Sequence, residues 1–256
     1  MTAPNGSLYL MPNALDLGTE SAGIALDDVL PVGVIRRAAR LTHWIAENAK
    51  STRAFLKRVD AVVPLARPLQ EISIVELPRP SKGGQPRAAG PDPAALLAPA
   101  LAGHDIGLLS EAGLPAVADP GSDVVRSAHT LGVQVVALPG ASSLLLALAA
   151  SGHNGQSFAF VGYLPIEAGV RSARIRELEA ISRRALQTQL MIETPYRNAA
   201  LLAALVEYLQ PGTWLSVSCG LTLRDGFTRS ETVAGWRQRP SSLPPDVPAV
   251  FSLLAR

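Results

Sequence analysis

Two segments rich in glycine, proline and serine each follow a short apolar run of the kind that forms a buried strand. Residues 110–121 read Ser-Glu-Ala-Gly-Leu-Pro-Ala-Val-Ala-Asp-Pro-Gly, and residues 139–143 read Pro-Gly-Ala-Ser-Ser. Beyond the end of a strand, backbone N–H and C=O groups have left the sheet, and glycine lets a ligand approach them closely. Loops of this composition at strand ends are where open α/β sheets bind small molecules. The two segments therefore predict a ligand site built largely from backbone groups.

The elements that must position these loops alternate between strands and helices. Apolar runs predict strands over 8–11, 43–46, 71–77, 106–109 and 133–138, and helical spacing predicts helices over 31–41, 47–59, 94–102 and 122–131. Strands separated by helices form parallel sheets. Because the helix over 122–131 has the right length for a crossover, we expect strands 106–109 and 133–138 to lie side by side.

The second half of the chain has a different pattern. It predicts helices over 144–150, 171–184 and 198–209, and strands over 158–164, 189–193, 214–221, 227–233 and 249–254. We expect no helix between the last three strands, so part of this sheet must be antiparallel. The prediction is a two-domain α/β protein, with a parallel sheet in residues 1–138 and a mixed sheet in residues 139–256.

Composition narrows the class of protein. Of 256 residues, 48% are hydrophobic and 17% charged, which is typical of a globular, core-rich chain, and the formal net charge is +2. The single cysteine, Cys219, excludes an internal disulfide and is predicted to be buried, while the four histidines lack metal-ligand spacing, so we expect no metal. We see no signal segment and no apolar run long enough to span a bilayer, and we expect a soluble cytoplasmic protein.

Two basic segments could contact an anionic partner. Lys50, Arg53 and Lys57 follow one another at i, i+3 and i+7 and therefore form a stripe on one helix face. Residues 78–93 are dense in proline and glycine, which predicts a loop, and they include Arg79, Lys82 and Arg87. The stripe is either a solvated face or a phosphate-binding one. The loop is either a basic lid or a surface insertion.

Five ordered motifs together carry a family resemblance. They are residues 110–121, Leu-Pro-Gly-Ala-Ser-Ser at 138–143, Phe-Val-Gly-Tyr-Leu-Pro at 160–165, Glu-Asn-Ala-Lys-Ser-Thr-Arg at 47–53 and Glu-Thr-Pro-Tyr-Arg at 193–197. In this order the chain resembles the tetrapyrrole methylase family, and within it the branch that 2′-O-methylates a cytidine of bacterial small-subunit ribosomal RNA.

The resemblance implies an S-adenosylmethionine cofactor bound in a cleft between the two domains, and a homodimer. Carried over motif by motif, the cofactor-binding residues are Glu111, Ala112, Gly113, Leu114, Ser142, Ser143, Ile192, Leu221, Thr222 and Pro248. Ser142 and Ser143 could also serve as a helix N-cap, since serine there satisfies free N–H groups whatever the function.

Methylation of a ribose hydroxyl would need a group that accepts or orients its proton, because a neutral alcohol is a poor nucleophile. The candidates are Glu47 and Glu193, with Lys50, Arg53 and Arg197 binding the substrate through its phosphates. The alternative for either glutamate is a structural ion pair with a neighbouring arginine.

The acceptor stays open between RNA and a tetrapyrrole or another small molecule. The RNA-methylating branch has Arg-Glu-Leu-Thr-Lys where this chain has Cys-Gly-Leu-Thr-Leu at 219–223, and a His-Asn-Glu element that this chain lacks in residues 78–93. RNA is the leading acceptor. A third hypothesis is a homologue that binds S-adenosylmethionine or RNA without catalysis.

Overall fold

The sheet of the first unit is parallel at every pairing in the part of the chain that the structure describes. The structure is a computed structural model, and it describes residues 4–16, 24–78 and 92–256. The strands lie in the order β3-β2-β4-β1-β5. They are β1 (Ser7–Met11), β2 (His43–Ala46), β3 (Ser73–Glu76), β4 (Ile106–Leu109) and β5 (Gln134–Ala137). The parallel sheet predicted for this half is confirmed.

The expected adjacency of β4 and β5 is wrong, because β1 lies between them and pairs with both. β1 and β4 are largely buried, whereas the two end residues of β5 are exposed. The most apolar strands therefore occupy the centre, and β5 takes the edge. Since every strand is parallel, the loops after β4 and β5 still emerge at the same edge of the sheet.

Helices of the first unit pack against the sheet through two apolar clusters. One cluster joins Tyr9, Met11 and Trp44 to the helices α2 and α3, and the other joins Leu8, Ile45 and Leu108 to α4 and α5. Because neighbouring residues of a strand point to opposite faces, Leu8 and Tyr9 enter different clusters. The helices are α1 (Leu26–Val29), α2 (Val32–Arg40), α3 (Ala49–Val62), α4 (Ala98–Leu101) and α5 (Ser122–Thr130).

Two predicted helices of this unit differ from the observed ones at their starts. The helix predicted from residue 47 begins at Ala49, because Asn48 is its N-cap and its side-chain oxygen accepts the N–H of Lys50 at 2.9 Å. The helix predicted over 94–102 is a 3-10 turn, Ala95–Leu97, followed by the single turn of α4. Residues 17–18 and 79–91, with Arg79, Lys82 and Arg87, lie outside the described residues.

The second unit has the predicted mixed sheet. Its strands lie in the order β6-β7-β10-β8-β9; β6 and β7 are parallel, and the pairings of β10 with β7 and of β8 with β10 and β9 are antiparallel. These strands are β6 (Phe158–Tyr163), β7 (Thr188–Glu193), β8 (Trp214–Cys219), β9 (Phe227–Thr232) and β10 (Ala249–Leu254). The chain divides into Met1–Ala141 and Ser142–Arg256, whereas the predicted boundary follows residue 138.

A short helix between β9 and β10 corrects the expectation that no helix separates the last strands. The helices of this unit are α6 (Ser143–Ser151), α7 (Ala168–Ala185), α8 (Asn198–Tyr208) and α9 (Val233–Gln238). Trp236 anchors α9, because its ring is buried and its Nε1–H donates to Leu215 O at 2.9 Å. Six residues with one such anchor are too few to produce a readable helical period.

The core of the second unit forms around β10, every residue of which is buried. Cys219 belongs to this core, as predicted. A separate cluster holds α6 against the sheet through Leu144 and Leu148 on the helix and Leu190 and Val250 on the strands. Nowhere in the described residues is a helix both long and apolar enough to cross a membrane.

A half-buried histidine follows α6. His153 Nδ1 lies 3.0 Å from Ser252 Oγ, while its Nε2 is buried without a hydrogen-bond partner among the described residues. Burial, followed by the positive charge of Arg256, lowers the pKa of His153 from 6.5 to about 4. The folded protein therefore holds this imidazole in its neutral form well below the pH at which an unfolded chain would protonate it.

We expect the stability of the protein to fall as the pH decreases from 6.5 to about 4, because unfolded His153 takes up a proton that the folded state rejects. A pKa difference of this size is worth at most roughly 3 kcal/mol. His153→Gln should reduce the acid-induced loss in urea unfolding. The exposed His129→Gln is the matched control, and equal pH profiles for His153→Gln and the wild type would contradict the prediction.

Candidate functional site

The carboxyl ends of β1, β2 and β4 meet at one edge of the first unit's sheet. Polar residues follow each strand: Glu47 directly after β2, Ser110 and Glu111 directly after β4, and Asn13 two residues after the end of β1. The strand registers align Met11 and Ala46 with Leu109, so these residues leave the sheet at the same level. We call Asn13, Glu47, Asn48, Ser110, Glu111 and Asp119 the edge cluster.

Glu111 is hydrogen-bonded both to Glu47 and to Asn48. The backbone N–H of Glu111 donates to Glu47 Oε2 at 3.1 Å, and Asn48 Nδ2 donates to Glu111 Oε1 at 2.9 Å. Asn48 also caps α3, so this one side chain ties the start of a helix to the loop after β4. The structure thus brings together the predicted catalytic Glu47 and the predicted cofactor-binding Glu111.

Asn13 and Gly113 form a two-way backbone bridge. Asn13 N donates to Gly113 O at 2.8 Å, and Gly113 N donates to Asn13 O at 3.2 Å. The side-chain Nδ2 of Asn13 donates to the carbonyls of Ser110 at 3.1 Å and Glu111 at 2.9 Å. Residues 110–113, which include the predicted Ala112, are therefore held from both the backbone and the side chain of Asn13.

The sequence analysis gave no role to Asn13, Asn48, Ser110 or Asp119, and of these four only Asn13 lies outside the five motifs. For Asn13 the available signal is an asparagine in the turn after a buried strand, because its short amide bonds readily to nearby backbone groups. That signal is common to many turns.

Backbone conformation in the loop after β4 is unusual for non-glycine residues. Gly113 has φ +67°, and Ala116 and Ala118 both have φ +64°, a left-handed conformation that alanine seldom adopts. Strained loop residues of this kind persist where the surroundings hold them, and they occur often at ligand sites. Leu114, which precedes this strained segment, is half-buried.

Gly140 lets the loop after β5 pack tightly onto the loop after β1. A Cβ atom at position 140 would lie 2.3 Å from Pro12 Cβ, which no side chain can accept. The glycine in the second predicted loop therefore serves the packing of two strand ends.

Asp119 completes the edge cluster electrostatically. Burial first, and then the carboxylates of Glu47 and Glu111, together raise the pKa of Asp119 from 3.8 to about 7. Burial also raises the pKa of Glu47; the N–H of Glu111 opposes this effect and the Glu111 carboxylate adds to it. The three carboxyl groups therefore share a partly dry space where a bound cation would favour their ionised forms.

Ser110 supplies an unmet hydrogen-bonding group beside these carboxyls. The residue is 2% exposed, and its Oγ has no partner among the described residues. Buried hydroxyl groups normally find a partner, so this atom indicates a place for a polar ligand or water. In the described chain, no three histidine, cysteine, aspartate or glutamate side chains are grouped to hold a metal ion.

The predicted residues of the second unit form their own group near the start of α6. Ile192 and Leu221 pack against the cluster that contains Leu144 and Leu148. Gly220 N donates to Pro248 O at 3.0 Å, which brings Leu221 and the neighbouring Thr222 close to the chain at Pro248.

Ser142 occupies the N-cap position of α6 and Ser143 is its first residue. The Ser142 side chain is buried, but within the described structure it makes no capping hydrogen bond. A helix cap therefore does not account for Ser142.

Glu193 is engaged in the second unit. Its Oε2 accepts a hydrogen bond from Arg197 Nη2 at 2.5 Å, and its Oε1 accepts one from Thr194 N at 2.7 Å. This bond to Glu193 is the largest of several causes that raise the pKa of Arg197. The arrangement is the structural ion pair that was the alternative to a catalytic Glu193.

Lys50, Arg53 and Lys57 are all exposed on α3. Arg53 donates to Ala49 O at 3.4 Å, and the stripe follows the helix that begins at the edge cluster. Its proposed partner stays a prediction.

Known proteins share sequence similarity with this chain. The family model described as "Tetrapyrrole (Corrin/Porphyrin) Methylases" matches residues 23–227. The protein named "Ribosomal RNA small subunit methyltransferase I" of Mesorhizobium japonicum is 40% identical over 121 residues, 47% of this chain and 39% of that protein. The protein of the same name from Bacillus subtilis is 40% identical over 107 residues, 42% of this chain and 35% of that protein. The aligned part spans less than half the length of these curated relatives.

Two solved structures share the fold. The methyltransferase CobJ superposes with a TM-score of 0.56 and 15% identity, covering 98% of this chain and 94% of that one. The uroporphyrin-III-C-methyltransferase of Thermus thermophilus superposes with a TM-score of 0.52 and 17% identity, covering 97% and 94%. The predicted two-sheet α/β fold is therefore confirmed, and these two solved structures share it.

We expect Asp119→Asn to raise the stability of the protein above that of the wild type by more at pH 8 than at pH 4.5. The folded pKa of Asp119, about 7, lies above the unfolded value of 3.8, so the wild type loses stability as the pH rises between them, and asparagine does not. Thermal unfolding at the two pH values measures the difference. Asp246→Asn, at an exposed position, is the control; a variant whose stability relative to the wild type is the same at both pH values would contradict the assignment.

Proposed function

We propose that this chain, which belongs to the tetrapyrrole methylase family, transfers a methyl group from S-adenosylmethionine to small-subunit ribosomal RNA. Family membership supports the methyl transfer. The observation that carries the proposal is the edge cluster, a polar, partly buried site at strand ends, in which the Ser110 hydroxyl has no partner among the described residues. The relatives named ribosomal RNA small subunit methyltransferase support RNA as the acceptor.

The residues of the edge cluster fit the proposed cofactor. S-adenosylmethionine carries positive charge on its sulfonium and its ammonium group, and polar atoms on its adenine and ribose. Glu47, Glu111 and Asp119 offer carboxyl groups whose ionised forms a cation would stabilise, and Ser110 Oγ offers a buried group without a partner in the described chain. The backbone of residues 111–114 would hold the remaining polar atoms. The predicted cleft between the domains stays a prediction.

Glu47 is the better candidate to receive the proton of the ribose hydroxyl. When bound, the cofactor supplies an electrophilic methyl group, so no metal or covalent intermediate is required. A carboxylate whose pKa burial raises is a stronger base near neutral pH than an ordinary glutamate. Glu193 is committed to Arg197, so we assign it the positioning of that guanidinium. Lys50, Arg53 and Arg197 would contact phosphates.

A tetrapyrrole acceptor is the second candidate, because the family is described by its corrin and porphyrin methylases. A small acceptor would make few contacts with the basic stripe on α3, whereas RNA would bind along it. A homologue that binds without catalysis is the third. If ribosomal RNA is the acceptor, the protein works in the cytoplasm, where ribosomal subunits are.

We expect labelled methyl groups to pass from S-adenosylmethionine to small ribosomal subunits from a strain lacking this gene, with a panel of tetrapyrroles assayed in parallel. Glu47→Gln should lower the rate by roughly 10²–10⁴-fold, because the hydroxyl loses its proton acceptor. Glu71→Gln, an exposed glutamate paired with Arg67, is the control.

The other outcomes of this assay are decisive. Label in a tetrapyrrole and none in RNA would reverse the ranking of acceptors. Label in neither, while millimolar S-adenosylmethionine still raises the melting temperature, would favour the binding protein without catalysis. No thermal shift at that concentration would refute the cofactor itself.

We further propose a homodimer, supported by an apolar patch on the second unit. Leu145 and Leu146 of α6 are exposed, as are Phe158 and Phe160 of β6. Phe160 pairs with Leu190, a residue that packs against α6, so Phe160 lies on the same sheet face as that helix. Several exposed apolar side chains on neighbouring elements are typical of interaction surfaces.

Light scattering at micromolar concentration should give twice the subunit mass of 26.8 kDa. Leu146→Glu should shift the protein to the monomer, because a buried charge without a partner is costly in an apolar interface. Val62→Glu, at an exposed position on α3, is the control. A monomeric mass for the wild type would overturn the dimer.

A further inference from the structure

Two tyrosine rings of the second unit are largely exposed to solvent. Tyr196 is 75% exposed, the largest fraction for any large hydrophobic side chain in the described chain, and Tyr163 is 57% exposed. A tyrosine ring normally packs at least one face against the protein. Packing in the hydrophobic core therefore does not fix the position of either ring.

Both tyrosines lie where parallel strands end. Tyr163 is the last residue of β6 and pairs with Ile192 of β7. Tyr196 belongs to the 3-10 turn Pro195–Arg197, which begins two residues after β7. The paired strands thus deliver the two tyrosines to the same edge of the second unit's sheet.

An irregularity at the end of β6 sets the direction of Tyr163. The register between β6 and β7 shifts between Phe160 and Tyr163, and Gly162 within this stretch has φ +72°. Irregularities of this kind reorient the side chains that follow them. The exposure of Tyr163 is therefore built into the strand.

Arg197 is held in the same neighbourhood by a fixed partner. Its Nη2 donates to Glu193 Oε2 at 2.5 Å, and the Glu193 side chain is almost fully buried while that of Arg197 is 23% exposed. Tyr196 and Tyr163 are smaller causes of the raised pKa of Arg197, after Glu193. Both hydroxyl groups thus lie within electrostatic range of one anchored guanidinium.

Exposed aromatic rings beside an anchored arginine suit an unpaired nucleotide. A base stacks on a tyrosine ring at little cost in side-chain entropy, and a guanidinium binds a phosphate or stacks on a base. In a duplex the base faces are already covered by their neighbours, so such rings select single-stranded RNA. Stacking accepts every base, so we expect little sequence preference from these residues.

We propose that Tyr163, Tyr196 and Arg197 form a stacking site for an unpaired RNA nucleotide that accompanies the acceptor nucleotide. The identity of the ligand rests on the proposed function, whereas the site rests on the geometry of the second unit. Tyr196 is the principal base contact, because its ring is the more exposed. Glu193 is a positioning residue, since it acts through Arg197.

The test measures binding of the full chain to a fluorescent single-stranded RNA oligonucleotide by anisotropy, with the same strand annealed to its complement as the duplex arm. We expect Tyr196→Ala to weaken single-strand binding by about fivefold to a hundredfold, and Tyr196→Phe, which keeps the ring, to bind as the wild type does. Tyr163→Ala should have a smaller effect. Ile166→Ala, at a position 71% exposed near Tyr163 in sequence, is the matched control for lost apolar surface.

Salt dependence separates stacking from charge. Tyr196→Ala should leave the slope of log affinity against log salt unchanged, whereas Arg197→Gln should reduce its magnitude by about 0.7, the value for one phosphate contact on a single strand. A structural role for Tyr196 would lower the melting temperature instead of changing the affinity at constant stability.

Three results would overturn the proposal: wild-type affinity for single-stranded RNA in Tyr196→Ala, equal loss in Tyr196→Phe and Tyr196→Ala, or no measurable binding of single strands by the wild type. Loss of porphyrin binding in Tyr196→Ala with RNA binding unchanged would also overturn it and transfer the site to a small acceptor. Failure of the proposed function is distinguishable. In that case the wild type methylates no ribosomal RNA, yet single-strand binding still depends on Tyr196.

Discussion

The two backbone hydrogen bonds between Asn13 and Gly113 determine the shape of the site in the first unit. They connect the ends of β1 and β4, which are central and adjacent in the sheet. The Asn13 side chain then holds the carbonyls of Ser110 and Glu111, and Glu111 in turn contacts Glu47 and Asn48. Glu111 could not meet both partners if the loop after β4 were free to move.

This bridge has an electrostatic consequence. Three carboxyl groups are brought into a partly dry space, where burial first and their mutual repulsion second raise the pKa values of Glu47 and Asp119 and oppose folding. Two N–H donors in the network offset part of this cost, the Glu111 backbone to Glu47 and Asn48 Nδ2 to Glu111. An arrangement that costs stability and is nonetheless held by specific hydrogen bonds is typical of sites that act on a ligand.

Local patterns predicted the strands well, because short apolar runs bounded by glycine and proline seldom form any other secondary structure. They could not give the order of strands in space. β1 lies between β4 and β5, and that outcome depends on which strands are most apolar across the whole sheet. Helix α9 was not predicted, because its packing relies on Trp236 rather than on a periodic apolar stripe. In the site, the motifs located Glu47, Glu111 and Gly113, whereas the role of Asn13 arises from contacts about a hundred residues away in sequence.

The central position of β1 also bears on how the chain folds. Ser7 N donates to Asp105 Oδ1, 98 residues later in the sequence, and both neighbours of β1 belong to segments that are synthesised long after it. On the ribosome, β1 therefore emerges with both of its hydrogen-bonding edges unpaired, while β2 and β3 follow without the strands that join them to it. Contacts of such long sequence separation slow folding and prolong the exposure of strand edges. Because β1 is only five residues long, the unpaired strand edge with which other chains could pair during this interval is short.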